Sequence, residues 1–141
     1  MAKQIYPCLW FDNQAKAAAE FYCSIFPNSK IVSENPMVVI FELNGEKFMG
    51  LNGGPVFKHS EAISFVIDCN DQAEIDHYWY KLIADGGKES QCGWCKDKFG
   101  VSWQVVPTIL AQLMANQEKA PRVVNAFMQM KKFDIEKLIN A

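Results

Sequence analysis

The feature that most constrains the fold of this chain is an internal repeat. When the sequence is moved against itself by the 58 positions that separate Ile5 from Ile63, the apolar run 5–11 lies over the run 63–69. Each run is followed by a pair of residues suited to cap a helix, Asp12-Asn13 in the first half and Asn70-Asp71 in the second. Each half is therefore predicted to begin with a strand followed by a helix.

Helical periodicity supports one helix in each half, over about 13–26 and about 71–85. Asp71 and Glu74 have capping-box spacing, Pro27 ends the first helix and Gly86-Gly87 ends the second. The residues expected on the buried stripes are Ala15, Ala18, Ala19, Tyr22, Ile25 and Phe26 in the first helix and Ile75, Tyr78, Trp79, Leu82 and Ile83 in the second.

Three strands are predicted after each helix. In the first half they cover 30–33, 37–43 and 46–51, and Asn44-Gly45 forms a hairpin turn between the last two. In the second half they lie near 88–91, 94–96 and 101–106, with a turn over 98–100. Each half is thus a βαβββ module, module one over about 1–54 and module two over about 61–107, joined by a Gly- and Pro-containing linker.

A helical extension is predicted over 107–141, with helices at 107–115, 121–131 and 134–139. Pro107 and Pro121 are expected in first-turn positions, where a missing backbone N–H is tolerated. The apolar faces of these helices need a partner surface in this chain or in a second subunit.

Composition excludes several classes of function. A chain of 141 residues suits one domain, and its net charge of -2 gives no basic surface for nucleic acid. The initial apolar run is too short for a signal peptide, and no apolar stretch approaches the length of a membrane span, so we expect a cytoplasmic protein without membrane association. The five cysteines are expected to be mostly small buried hydrophobes and not a disulfide framework.

Two βαβββ modules in tandem are the architecture of the vicinal-oxygen-chelate superfamily, which includes the glyoxalase and bleomycin-resistance proteins. The segments 61–65, 72–79 and 91–107 resemble its PhnB-like branch, a group described as 3-demethylubiquinone-9 3-methyltransferase-like. This resemblance implies an α+β fold, a curved sheet around a small-molecule cavity, and a homodimer.

Metal-dependent members of the superfamily carry four His or Glu ligands on the first and last strands of each module. The matching positions here fall near Pro7, Gly50, Ser64 and Gln104, with an uncertainty of one residue on the first strand. None of the four supplies imidazole, carboxylate or thiolate, so no bound metal is predicted. No strand and Gly-rich turn typical of S-adenosylmethionine enzymes occurs either, and no cofactor is predicted.

Amide, hydroxyl and aromatic residues are the candidates for a ligand pocket. Strand alternation puts Ser64 on one face with Val66 and Asp68, and it puts Gln104 on one face with Ser102 and Val106. A largely apolar cavity with a few such groups fits an uncharged or weakly polar small ligand. The predicted pocket residues are Asn52, Ser64, Gln91, Trp94 and Gln104.

Other constellations are weaker. Cys92 and Cys95 have the spacing of a dithiol redox motif, but the following residues predict a strand and a turn where such motifs need a helix N-terminus. His77 is expected at the surface of the second helix, and His59 in a loop before the second module. Three functions stay open: a metal-independent small-molecule-binding protein, an enzyme acting on a quinone or aromatic substrate, and a sequestering protein of the bleomycin-resistance type.

Overall fold

The computed structural model describes residues 3–141; residues 1 and 2, where the predicted first module begins, lie outside the described residues. The chain divides into two compact units, one up to His59 and one from Ser60 onward. Each unit contains a four-stranded sheet and the helix that follows its first strand. The predicted α+β architecture of two βαβββ modules is therefore confirmed.

The first unit consists of β1 (Cys8–Phe11), α1 (Ala15–Ile25), β2 (Lys30–Glu34), β3 (Val38–Leu43) and β4 (Glu46–Asn52). The strand order is β1-β4-β3-β2, in which β1 is parallel to β4 and the other pairs are antiparallel. Asn44 and Gly45 both have positive φ, 51° and 83°, as the predicted two-residue hairpin turn between β3 and β4 requires.

Alternate residues of the first sheet form a core with α1. The side chains buried there are Leu9, Phe11, Val39, Phe41 and Leu43 from the strands and Ala15, Ala18, Ala19, Tyr22 and Ile25 from the helix. Small residues allow a close approach, since a Cβ added to Gly50 would lie 3.2 Å from the Cβ of Ala15. The predicted apolar stripe of α1 is thus confirmed apart from Phe26, which is half-buried after the end of the helix.

The predicted cap of α1 is wrong. Asn13 has a left-handed φ of 60°, and Gln14, which precedes the helix, makes no side-chain cap. The cap comes instead from the end of β4, where Oδ1 of Asn52 accepts a hydrogen bond of 2.8 Å from the backbone N–H of Ala15. A residue distant in sequence therefore does what the local Asp/Asn pair was expected to do.

The second unit begins with β5 (Ser64–Cys69), α2 (Gln72–Ile83) and a 3-10 turn (Ala84–Gly86). Three strands follow, β6 (Lys88–Glu89), β7 (Trp94–Lys96) and β8 (Ser102–Pro107), in the order β5-β8-β7-β6 with β5 parallel to β8. Here the predicted cap is confirmed: Oδ1 of Asp71 accepts a hydrogen bond of 2.9 Å from the N–H of Glu74.

The C-terminal residues form α3 (Ile109–Ala115), α4 (Ala120–Phe127) and α5 (Ile135–Ile139). The prediction that Pro107 begins a helix is wrong, because Pro107 is the last residue of β8 and pairs with Cys69. The helix predicted over 121–131 is shorter at its end, and Met130 and Lys131 use their carbonyl groups elsewhere. These carbonyls accept hydrogen bonds of 2.8 Å from the backbone N–H groups of Cys92 and Gly93, which attaches the tail to the β6–β7 turn.

The helix α2 covers one face of the second sheet. Its buried residues are Ile75, Tyr78, Trp79 and Leu82, and the buried strand residues include Cys69, Cys95, Trp103 and Val105. Cys8 is exposed and Cys23 and Cys92 are half-buried, so the expectation that most cysteines are buried is wrong. None of the helices between residues 3 and 141 is long and apolar enough to cross a membrane.

Candidate ligand-binding surface

We call the face of each sheet opposite its helix the open face. On the open face of the second sheet, strand pairing puts Val66 beside Gln104 and Gln104 beside Trp94; we call these three residues the amide row. The amide Nε2 of Gln104 donates a hydrogen bond of 2.9 Å to the hydroxyl oxygen of Ser64. Of the predicted pocket residues, the structure thus brings Ser64, Trp94 and Gln104 together.

A second row crosses the same face. Ser64 pairs with Ser102, Ser102 with Lys96, and Lys96 with Lys88, and we call these four residues the hydroxyl–lysine row. The ammonium of Lys96 forms an ion pair with the carboxylate of Glu61, and this hydrogen bond lowers the pKa of Glu61. The open face therefore carries positive charge beside the uncharged groups predicted from sequence.

The other two predicted pocket residues have different positions. Asn52 pairs with Phe11 on the face covered by α1, and its amide donates a hydrogen bond of 3.0 Å to the carbonyl of Pro36 in addition to capping the helix. Gln91 is exposed in the turn between β6 and β7, where its backbone carbonyl accepts a hydrogen bond from Trp94. Neither residue therefore lies in the amide row.

The open face of the first sheet is mostly apolar. Strand pairing places Cys8, Trp10, Val38, Ile40, Met49 and Leu51 on it, together with the charged pair Glu42 and Lys47 near the β3–β4 turn. The indole N–H of Trp10 donates to the carbonyl of Gly54 at 2.8 Å, and its ring packs edge-on against Phe57 with centroids 4.9 Å apart. His59 is half-buried, with Nε2 2.7 Å from the carbonyl oxygen of Trp10, so this loop histidine packs back onto its own unit.

The donor set does not fit a transition metal. Gly50 lies on the face of β4 that is covered by α1. Its neighbour Met49 lies on the open face and pairs with Cys8. In the second unit, Ser64 and Gln104 bond to each other. Within residues 3–141, no three His, Cys, Asp or Glu side chains lie in an arrangement that would hold an ion. Thioether, hydroxyl and amide groups are weak substitutes for the usual imidazole, carboxylate or thiolate ligands.

The Cys-Gly-Trp-Cys segment forms a turn that attaches the tail. Cys92 and Gly93 have φ values of 58° and 82°, and both cysteines are free thiols. Burial, followed by the charges of Asp97 and Glu89, raises the pKa of Cys95 to about 12. A thiol with such a pKa is a poor nucleophile at neutral pH, which supports the structural interpretation of this motif.

Sequence reasoning missed Lys96, Ser102 and Glu61 as members of the site. Alternation along β7 was a usable signal, because it puts Lys96 on the same face as Trp94. Alternation along β8 likewise puts Ser102 on the same face as Gln104. The contact of Glu61 with Lys96 joins a turn to a distant strand, and no local pattern predicts it.

Paired βαβββ modules of this topology form the glyoxalase-like, vicinal-oxygen-chelate fold. The fold is similar to that of a glyoxalase-related enzyme from Fulvimarina pelagi, with 17% identity, a TM-score of 0.57 and coverage of 76% of this chain and 89% of that chain. It is also similar to a fosfomycin resistance protein from Listeria monocytogenes complexed with Mn(II) and sulfate, with 13% identity, a TM-score of 0.61 and coverage of 83% and 98%.

Within this class the chain belongs to the PhnB-like family described as 3-demethylubiquinone-9 3-methyltransferase, whose family model matches residues 3–106. A PhnB protein from Bacillus cereus is 30% identical, with a TM-score of 0.68 and coverage of 75% of this chain and 100% of that chain. No functionally curated protein matches the chain.

Proposed function

We propose that this PhnB-like chain binds a small organic molecule on the open face of its second sheet and does so without a metal. The observation that carries the proposal is the hydrogen bond of 2.9 Å between Gln104 and Ser64 beside the half-buried Trp94. Small-molecule sites combine apolar surface with a few placed polar groups, and this arrangement has both.

The polar pair retains groups for a ligand. Because Gln104 donates one amide hydrogen to Ser64, the Gln104 side chain keeps its carbonyl oxygen and a second hydrogen, and Ser64 keeps its hydroxyl hydrogen. The pair can therefore donate to and accept from one ligand. Trp94 and Val66, in the same row, supply flat and branched apolar surface.

A test is protein-observed NMR of the ¹⁵N-labelled chain during titration with neutral aromatic compounds, including a hydroquinone. We expect the shifts to concentrate on the Gln104 side-chain amide and the Trp94 indole N–H. Gln104→Leu should weaken binding about tenfold, the usual loss when a hydrogen bond to a ligand is removed.

Gln117→Leu is the matched control, because Gln117 is exposed between α3 and α4. It should leave the affinity unchanged. Binding that is insensitive to Gln104→Leu, or shifts confined to other residues, would contradict the proposal.

A second candidate is an enzyme acting on a quinone, as the family description says. The aromatic and branched residues of the amide row favour it, because a planar ring can lie against Trp94. Incubation with demethylubiquinone and S-adenosylmethionine, followed by mass spectrometry, should then yield a product heavier by one methylene. If the substrate is unchanged and calorimetry detects no binding of S-adenosylmethionine, the enzymatic candidate is wrong. The proposal of small-molecule binding then remains.

We also propose that the chain forms a homodimer, because its resemblance to the vicinal-oxygen-chelate superfamily implies one. Light scattering coupled to size-exclusion chromatography should give twice the chain mass of 16.0 kDa. A mass that stays at that of one chain at high protein concentration would contradict it.

A further inference from the structure

The hydroxyl group of Ser102 is buried and has no hydrogen-bond partner among residues 3–141. The relative exposure of the residue is 2%. Asp97, equally buried, instead accepts hydrogen bonds from the backbone N–H groups of Phe99 and Val101 and from the indole of Trp103. Buried hydroxyl groups are nearly always bonded, so an exception calls for an explanation such as a ligand.

Ser102 is one of the residues that line a pocket of about 220 Å³ within the second unit, together with Trp94, Lys88 and Lys96. Sites for whole drug-sized ligands usually measure about 300–1,000 Å³. The pocket is therefore of a size to take one functional group of a ligand. The indole N–H of Trp94 also has no acceptor among residues 3–141, in contrast to those of Trp10 and Trp79.

The pocket is lined by two lysines and two glutamates, so its formal charge is balanced, and binding of an anion depends on the displacement of one carboxylate. Lys96 and Lys88 lie next to each other in the hydroxyl–lysine row, and Lys96 lies beside Ser102. The carboxylate of Glu61 forms an ion pair with Lys96, and 65% of the Glu61 side chain is exposed. Glu89, the other carboxylate lining the pocket, accepts a hydrogen bond of 2.8 Å from Trp79. An anion that entered would meet a hydroxyl and two ammonium groups, and it would need to displace only the exposed Glu61.

We propose that this pocket binds the oxyanion, a carboxylate or phosphate, of the small organic ligand. Ser102 donates its hydroxyl hydrogen to the oxyanion, Lys96 exchanges Glu61 for it, and Trp94 contacts the adjoining apolar part. This proposal rests on the proposed binding function and specifies the ligand as an anionic molecule.

Matched probes provide the test. Benzoate and phenyl phosphate carry the two oxyanions, and benzamide is the neutral counterpart of benzoate. Titrations of the ¹⁵N-labelled chain at low salt should show benzoate or phenyl phosphate binding at least tenfold more tightly than benzamide, because a charge-assisted hydrogen bond is lost in the neutral probe. The tighter of the two anions identifies the oxyanion.

Three variants report on the pocket residues. Ser102→Ala should abolish most of the preference for the anion, and it should fold normally because it removes a hydroxyl that has no partner in the described structure. Lys96→Gln should weaken the anions and leave benzamide unchanged. Glu61→Gln should strengthen the anions by up to about fivefold, the equivalent of an exposed ion pair.

The possible outcomes separate this proposal from the one before it. If benzoate, phenyl phosphate and benzamide bind equally well at Gln104 and Trp94, the anion proposal is wrong and the binding function stands. If the anions bind more tightly than benzamide but Ser102→Ala and Lys96→Gln keep that preference, the pocket assignment is wrong. If no probe shifts any residue of the open face, both proposals fail.

Discussion

The two sheets have the same strand order, but the open face of the second has more polar residues at the positions that correspond to apolar ones in the first. In the first sheet, Cys8 pairs with Met49, while the repeat-related residues of the second sheet are Val66 and Gln104. Likewise Tyr6 corresponds to Ser64, and Trp10 corresponds to Asp68. The residues on the helix-covered faces remain mostly apolar in both units.

This comparison shows which face of the repeated module can differ in residue type between the two units. The helix-covered face must exclude water in each unit, so it accepts only apolar residues of suitable volume. The open face carries no such constraint from its own helix, and polar groups have accumulated in the second unit. This asymmetry favours the second sheet over the first as the surface that binds a polar ligand.

The largest expected effect on stability concerns the turn that precedes the last strand of each sheet, between β3 and β4 in the first unit and between β7 and β8 in the second. The first turn has left-handed conformations at Asn44 and Gly45, whose N–H groups donate to the Ser29 hydroxyl and the Asn28 carbonyl. The second turn uses the buried carboxylate of Asp97 to accept hydrogen bonds from three N–H groups. Asp97→Ala leaves these donors unpaired and should lower the free energy of unfolding by about 3–5 kcal/mol.

Asn44→Ala is the control, and it should cost only about 1–2 kcal/mol, because it places alanine in a left-handed conformation. Urea unfolding monitored by tryptophan fluorescence would measure both values. Equal losses would show that the two turns do not differ as described.

The pattern of elements was predictable because its signals are local. Alternation, helical spacing, the Asn44-Gly45 turn and the Asp71 cap each involve neighbours in sequence. The cap of α1 was not predictable in this way, because Asn52 lies 37 residues from the helix residue that it caps. The same limit applies to the tail, whose carbonyls bond to a turn in the middle of the second module.

The candidate site was predictable in part for the same reason. Alternation put Ser64 and Gln104 on faces that pairing then brought together, but it could not give the burial of Ser102 or the ion pair of Lys96 with Glu61. Residue type alone predicts Asn52 and Gln91 as pocket residues, and the structure places them away from the amide row.

The second prediction concerns the tail, which only the second unit has. Gly93 has a φ of 82°, and a Cβ there would lie 2.4 Å from the Phe133 ring and 2.9 Å from the carbonyl oxygen of Val105. Gly93→Ala should therefore destabilise the protein by about 2–4 kcal/mol, through backbone strain and overpacking.

Gly100 is a matched control, because its φ is 88° and a Cβ there would meet nothing within 4 Å. Gly100→Ala should cost only the conformational part, about 1–2 kcal/mol. Thermal unfolding of the two variants would give the difference. A loss at Gly100 as large as that at Gly93 would mean that Phe133 does not pack as described.

The third prediction compares the two helix caps. Asn52→Ala removes the cap of α1 and the bond to Pro36, and it should cost about 1–2 kcal/mol, whereas Asp71→Ala should cost about 1 kcal/mol. Amide hydrogen exchange should accelerate in the first turn of α1 in Asn52→Ala and in the first turn of α2 in Asp71→Ala. Unchanged exchange at Ala15 in Asn52→Ala would contradict the cap across the sheet.

The smallest effect concerns the ion pair between Lys132 of the tail and Asp76 of α2, with a distance of 2.6 Å. Hydrogen bonds from Lys132 and Gln72 lower the pKa of Asp76, and the bond to Asp76 raises the pKa of Lys132 against the opposing effect of burial. The Asp76 side chain is 42% exposed, so the pair should stabilise the fold by less than about 1 kcal/mol.

The sign of the pH dependence follows from these two shifts. The contribution of Asp76 is complete above its unfolded pKa of about 3.9 and is lost as the pH falls through the lower folded pKa. The contribution of Lys132 is complete below about 10.4 and is lost as the pH rises through the higher folded pKa. The stability difference between the wild type and Asp76→Asn should therefore be constant from about pH 5 to 9 and should shrink in acid. A difference that persists at about pH 2, where Asp76 is protonated, would show that the charge of Asp76 is not the source of the stabilisation.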